Sequence, residues 1–159
     1  MLFSKIMVPY DGSEHAKSAL EYAKSLAEAL PDARLDVVHA IPSGVMGLDE
    51  LGTHGSLDGV PLGMTEYAQY SGVVQPVLDQ AREKVVANLG GALEALGDRA
   101  EVHVVAGTST VAALLRHAQT SGCDLIVMGR RGLGAIRGMI GSVSYGILHG
   151  TDVPVLTVK

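Results

Sequence analysis

Asp124-Leu125-Ile126-Val127-Met128-Gly129-Arg130-Arg131-Gly132, followed after a short interval by Gly141-Ser142-Val143-Ser144, is the stretch on which the fold turns. Leu125 to Met128 is an unbroken apolar run, the pattern of a parallel strand covered on both faces. Gly129 to Gly141 is rich in glycine and arginine, and Ser142 to His149 reads as a short helix with Gly150 past its end. A buried strand running through a glycine-rich loop into a helix is one unit of an open α/β sheet.

The same rhythm extends outward in both directions. Ile6-Met7-Val8 is a short apolar strand stopped by Pro9 and the turn-like Asp11-Gly12-Ser13. Ser13 can cap a helix whose apolar positions, Ala16, Ala19, Leu20, Ala23, Leu26, Ala27 and Leu30, recur at helical spacing until Pro31. Leu35 to Ile41 reads as the second strand. A second helix is expected from about Pro76 to Leu96, with Gly97 as its C-terminal cap. Glu101 to Ala106 is the third strand, Val111 to Ala118 marks the third helix, and Val153 to Val158 the last strand. Strands separated by helices imply a mostly parallel sheet with helices on both faces. Residues 43–75 break the rhythm as a long, glycine-rich connection, which reads either as a functional lid or as a flexible insertion without a role.

In open α/β sheets ligands bind beyond the carboxyl ends of the strands, where strand order reverses. Two strand ends are candidates for that place: Pro9-Tyr10-Asp11 after strand one and Met128-Gly129 after strand four. Glycines let main-chain N–H groups approach an anion, and a helix opening at Gly141-Ser142 offers free N–H groups and the positive end of its dipole. No carboxylate lies between Asp124 and Asp152, whereas Arg130, Arg131 and Arg137 do. In a chain of net charge -5 that local reversal suits an anionic ligand. The plainer alternative is a surface loop with solvated arginines.

The totals bound the function further. With 159 residues, 47% hydrophobic and 18% charged, one domain with a real core is expected. The acidic balance disfavours nucleic acid or an anionic membrane as main partner. Cys123 is the single cysteine and suits a reducing compartment. Without a signal-like start or about 20 consecutive apolar residues, a cytoplasmic soluble protein is expected. No G-x-x-x-x-G-K-[ST] occurs, so the chain is not a P-loop NTPase.

Catalytic readings find little support. Asp11 could be a phosphoacceptor or a Mg²⁺ ligand, but the acidic pair and lysine that such sites place around the strand ends are missing. Ser13 and Ser142 read as helix caps, since neither sits in G-x-S-x-G. Histidines 15, 39, 54, 103, 117 and 149 show no metal-ligand spacing, so no metal site is expected. His39, near the end of a central strand, is the one closest to the expected pocket.

Taken together, these segments resemble the universal stress protein family along nearly the whole chain, residues 1–159 forming one domain with the 43–75 insertion. The resemblance is carried by Ile6 to Ser13, by Val38-His39-Ala40-Ile41, by Asp124 to Gly132 with Gly141 to Ser144, and by Val153 to Val158. The glycine signature looks like that of the ATP-binding branch. The resemblance implies a Rossmann-like five-stranded parallel sheet in the order 3-2-1-4-5, and a homodimer joined through the last strand, 153–158. It implies a non-catalytic stress-response module whose ligand is ATP, with or without Mg²⁺. Asp11 would then contact the ribose or adenine side, with Pro9 and Tyr10 lining the pocket and Ala40 and Met128 against the base. Gly129, Arg131 and Gly132 would approach ribose and phosphates, and Gly141, Ser142 and Val143 the outer phosphates. One departure stands out: eight residues, Leu133 to Ile140, separate the last two signature glycines, where that branch usually has nine.

Overall fold

The computed structural model describes residues 3–42, 64–133 and 140–159. Five parallel strands, β1 (Lys5–Pro9), β2 (Arg34–Pro42), β3 (Ala100–Gly107), β4 (Leu125–Gly129) and β5 (Val155–Val158), form one sheet in the order β3-β2-β1-β4-β5. They alternate with helices α1 (Glu14–Ala29), α2 (Met64–Leu89), α3 (Thr110–Thr120) and α4 (Ser142–Gly150).

The two-residue alternation of the strands divides the core between the two faces of the sheet. Ile6, Val8, Leu35, Val37, Leu125 and Val127 pack with α1 and α2 on one side. Met7, Val38, Ile126 and Met128 pack with Leu114, Ala118 and Ile147 of α3 and α4 on the other. All five residues of β4 are buried, which explains its unbroken apolar sequence.

The helices start and stop for identifiable reasons. Ser13 caps α1, its hydroxyl accepting the Ala16 N–H at 3.2 Å. At the other end of α1, the Arg99 guanidinium donates to the carbonyls of Ala27, Leu30 and Ala33 at 2.8, 3.3 and 3.2 Å. Carbonyls left over at a helix end are thus satisfied from a distant segment. Asp124 pins β4 beside β1: it accepts from the Ser4 N–H at 2.8 Å, the Ser4 hydroxyl at 2.6 Å and the Lys5 N–H at 2.9 Å.

Three boundaries differ from the sequence reading. α2 begins at Met64, so residues 64–75 belong to the helix rather than to the connection, and Pro76 lies inside it. The rest of the expected insertion, residues 43–63, lies outside the described residues. α2 also ends at Leu89 instead of running to Leu96, because Gly90 (φ 54°) and Gly91 (φ 83°) take left-handed backbone. Leu96 is still buried, but on a short 3-10 segment, Glu94–Arg99, broken at Gly97. Finally, β5 begins at Val155, two residues later than expected.

Candidate functional site

The chain leaves β1 toward β2 on one side, while β4 and β5 lie on the other, so the strand order reverses between β1 and β4. At the carboxyl ends of these two strands lies a pocket of about 350 Å³. That volume is within the range of small-molecule sites, about 300–1,000 Å³. All eleven residues singled out from the sequence line it: Pro9, Tyr10, Asp11, Ala40, Met128, Gly129, Arg131, Gly132, Gly141, Ser142 and Val143.

Each wall is built by a local constraint. Tyr10 is buried, and its hydroxyl donates to Asn88 Oδ1 of α2 at 2.7 Å. Burial is the main cause that raises its pKa above the usual tyrosine value. The Asp11 carboxylate joins the two halves of the site: Oδ1 accepts the Ser13 N–H at 3.0 Å and Oδ2 the Leu133 N–H at 3.2 Å. It thereby holds the glycine loop over the end of β1.

Gly129 and Gly132 are glycines for different reasons. A Cβ on Gly129 would lie 2.7 Å from the His15 carbonyl carbon, oxygen and Cβ, so α1 could not pack as closely on β4. A Cβ on Gly132 would lie 2.5 Å from Asp11 Oδ2, on the site itself.

The neck of the loop is closed by backbone hydrogen bonds. The Arg130 N–H donates to the Val158 carbonyl at 2.7 Å, and the Arg130 carbonyl accepts the Gly141 N–H at 3.0 Å. A Cβ on Gly141 would sit 3.4 Å from Arg131 Cα and 3.6 Å from the Gly132 nitrogen. The two signature glycines are therefore neighbours despite the shortened spacing. Residues 134–139, with Arg137, lie outside the described residues.

Gly141, rather than Ser142, is the N-cap of α4, and no side chain caps this end. Ser142 is the first helical residue, which corrects its expected role as a cap. An uncapped N-terminus leaves N–H groups turned toward the pocket. The Ser144 hydroxyl, buried, donates to the Gly129 carbonyl at 2.9 Å and locks this helix end to β4.

His39 lines the pocket as expected, its Nδ1 2.8 Å from the Tyr10 carbonyl. A carbonyl only accepts, so Nδ1 carries the proton. The sequence reading missed Thr110 and Leu114 of α3, which also line the pocket. The turn-rich Gly107-Thr108-Ser109-Thr110 was the available signal, since the end of β3 opens on the same edge of the sheet. Asp11 is the one carboxylate among the described lining residues.

With this geometry in place, comparison with known proteins is decisive. The sequence profile of the universal stress protein family matches residues 2–159. The chain belongs to that family. A relative from Thermus aquaticus, "Universal stress protein in QAH/OAS sulfhydrylase 3'region", is 34% identical over 159 residues, covering 99% of this chain and 100% of its own. Among solved structures, hypothetical protein MJ0577 superposes with a TM-score of 0.74 at 22% identity, over 100% of this chain and 97% of its own. Two others were solved with ligands: a universal stress protein in complex with cAMP (TM-score 0.55, 23% identity, 98% of this chain and 96% of its own) and one from Archaeoglobus fulgidus in complex with dAMP (TM-score 0.53, 20% identity, 100% of each chain). These likenesses show the fold.

Elsewhere, the structure brings together side chains that the sequence keeps apart. Histidines without metal-ligand spacing in sequence nonetheless meet in space: Asp36, His103 and His117 bring three possible ligand atoms within 4.8 Å of one another. Among the described residues no helix is long and apolar enough to cross a membrane. Cys123 is a free, buried thiol, as its place in the apolar core suggests.

Proposed function

We propose that this universal stress protein belongs to the ATP-binding branch, holds an adenine nucleotide at the carboxyl ends of β1 and β4, and serves the stress response as a non-catalytic module. The supporting observation is the pocket itself, where an apolar floor, one carboxylate and an uncapped helix N-terminus converge. Adenine would rest between Ala40 and Met128, beside Pro9 and Tyr10. The Asp11 carboxylate has about four acceptor sites, of which two N–H groups use only part, so it can also accept a ribose hydroxyl. Gly129, Arg131 and Gly132 would pass the ribose and first phosphate. Gly141, Ser142 and Val143 would receive the outer phosphates at the α4 N-terminus.

The cAMP and dAMP complexes of two fold neighbours favour adenine as the base. ATP is preferred to the monophosphate because the Arg130–Gly141 neck brings the α4 N-terminus to the phosphate end. A Mg²⁺ ion arriving with ATP would be held mainly by phosphate oxygens and water, since Asp11 is the single carboxylate among the described lining residues. Asp11 and His39 line the pocket, but each is engaged by backbone, Asp11 by the Ser13 and Leu133 N–H groups and His39 by the Tyr10 carbonyl, which supports the non-catalytic reading.

The same reading makes the protein a cytoplasmic homodimer, without nucleic acid or membrane as partner. β5 pairs with β4 along one edge and carries the exposed Leu156, and an apolar sheet edge needs pairing or cover. The shortened glycine loop favours one rival, a dimeric interaction protein of this fold without nucleotide. Mass spectrometry of small molecules released from freshly purified protein separates them. Stoichiometric adenine nucleotide is expected; release of none, with no ATP taken up afterwards, would leave the rival standing.

A further inference from the structure

Toward the amino end of the sheet gathers a second set of chemically capable side chains, none of which lines the nucleotide pocket. Asp36 on β2 shares the α3-facing side of the sheet with Met7 and Val38, and it is only 2% exposed. The parallel register places Glu101 beside Asp36 and His103 beside Val38, on that same face. α3 returns along it to deliver His117 in its last turn.

Asp36 Oδ2 lies 3.0 Å from His117 Nε2 and 3.1 Å from Lys5 Nζ, and Oδ1 lies 3.7 Å from His103 Nε2. The two imidazoles stand 4.8 Å apart between centroids, tilted by 47°. Both therefore aim the same nitrogen, Nε2, at one carboxylate. His103 Nε2 is buried and makes no hydrogen bond among the described residues, although a Glu101 oxygen lies 3.4 Å away. A salt-bridge network engages Lys5 and His117 closely, whereas His103 Nε2, 3.4 and 3.7 Å from two carboxylate oxygens, forms a hydrogen bond with neither.

A tetrahedral zinc-class ion accounts for it. Ligand distances of about 2.0–2.1 Å put ligand atoms roughly 3.4 Å apart around such an ion. The imidazole nitrogens lie 3.0 and 3.7 Å from the two oxygens of the Asp36 carboxylate, and one ligand atom from each residue falls within 4.8 Å of the others, so a modest contraction closes the shell. Two neutral imidazoles and a carboxylate are a donor set that borderline-soft divalent ions favour over Mg²⁺ or Ca²⁺. Lys5 is the obstacle, because its ammonium holds the place of a cation at Asp36. Its side chain is 26% exposed, however, and can turn to solvent when a dication replaces it.

We propose that Asp36, His103 and His117 bind a divalent zinc-class ion, with Glu101 at the rim completing a tetrahedral shell. The test uses chelator-treated full-length protein titrated with Co²⁺, whose tetrahedral complexes absorb visible light far more strongly than octahedral ones. One equivalent should produce the tetrahedral band, and Zn²⁺ should then abolish it. His103→Gln and His117→Gln, each checked by circular dichroism, should weaken binding by more than the ~10–100-fold typical of losing an outer-shell partner. Lys5→Gln should tighten binding several-fold. No one-equivalent band in the wild type, a band retained in either folded histidine variant, or unchanged binding in Lys5→Gln would overturn the assignment.

Discussion

Gly129→Ala and Gly132→Ala, three residues apart, should fail in opposite ways. In Gly129→Ala the new methyl lies 2.7 Å from three atoms of His15, two of them backbone. Comfortable carbon contacts fall near 3.5–4.0 Å, so about 1 Å of overlap must be relieved by moving the start of α1 away from β4. Overpacking of that kind costs roughly 1–3 kcal/mol. In urea, with a slope of about 2 kcal/mol per M, a loss near 2 kcal/mol lowers the unfolding midpoint by about 1 M. In Gly132→Ala the methyl meets Asp11 Oδ2 at 2.5 Å, the far end of a side chain that can rotate aside. The cost is then the Asp11–Leu133 hydrogen bond, about 0.5–1.5 kcal/mol before solvent at this exposed position reduces it. Nucleotide affinity, by contrast, should fall sharply, because the carboxylate and the loop move together. Urea unfolding of both variants beside ATP titration gives the answer. Equal destabilisation by the two, or a stable Gly129→Ala, would refute the reasoning.

Three smaller perturbations follow from the same contacts. Ser13→Ala removes the α1 cap and should cost about 1 kcal/mol in chemical denaturation, while Ser13→Gly costs only a few tenths. Burial pushes the Asp124 pKa up, but the Ser4 hydroxyl and the Ser4 and Lys5 N–H groups outweigh it and hold the carboxyl below its usual value. Its stabilisation is therefore complete above the unfolded value of about 3.9 and lost as pH falls through the lower folded one. Asp124→Asn should be less stable than wild type at pH 7, and acid unfolding curves should show the gap narrowing below about pH 4. Burial, assisted by the negative charge of Asp36, pushes the Cys123 thiol up to about 11. Native protein should react slowly with a thiol-directed disulfide reagent and rapidly once urea unfolds it; fast labelling of the native state would contradict this.

Much of the fold is written in punctuation that local chemistry can read. Pro9, Pro42 and the capping Ser13 end and begin elements where propensity says they should, and the unbroken apolar run Leu125 to Met128 is the fully buried strand its pattern suggests. α2 was harder at both ends. Gly72 and Pro76 are helix breakers, so residues 64–75 read as connection, yet the helix carries Pro76 within it. Leu93 and Leu96 continue the apolar spacing beyond the point where Gly90 and Gly91 turn the chain. The loop side of the pocket was legible because Gly129, Gly132 and Gly141 fall in one contiguous stretch after a buried strand, while the roles of Pro9, Tyr10, Asp11, Ala40 and Met128 came from the resemblance to the family. The Asp36 cluster was not, because register between β2 and β3 and the return of α3 bring its members together, and no sequence spacing encodes that.

Isothermal titration of ATP into nucleotide-free wild-type protein tests the central claim most directly. Saturable binding of one ATP per chain is expected, with a dissociation constant below about 1 mM, equivalent to at least about 4 kcal/mol of binding free energy. A flat titration at millimolar ATP, with the protein folded, would contradict it.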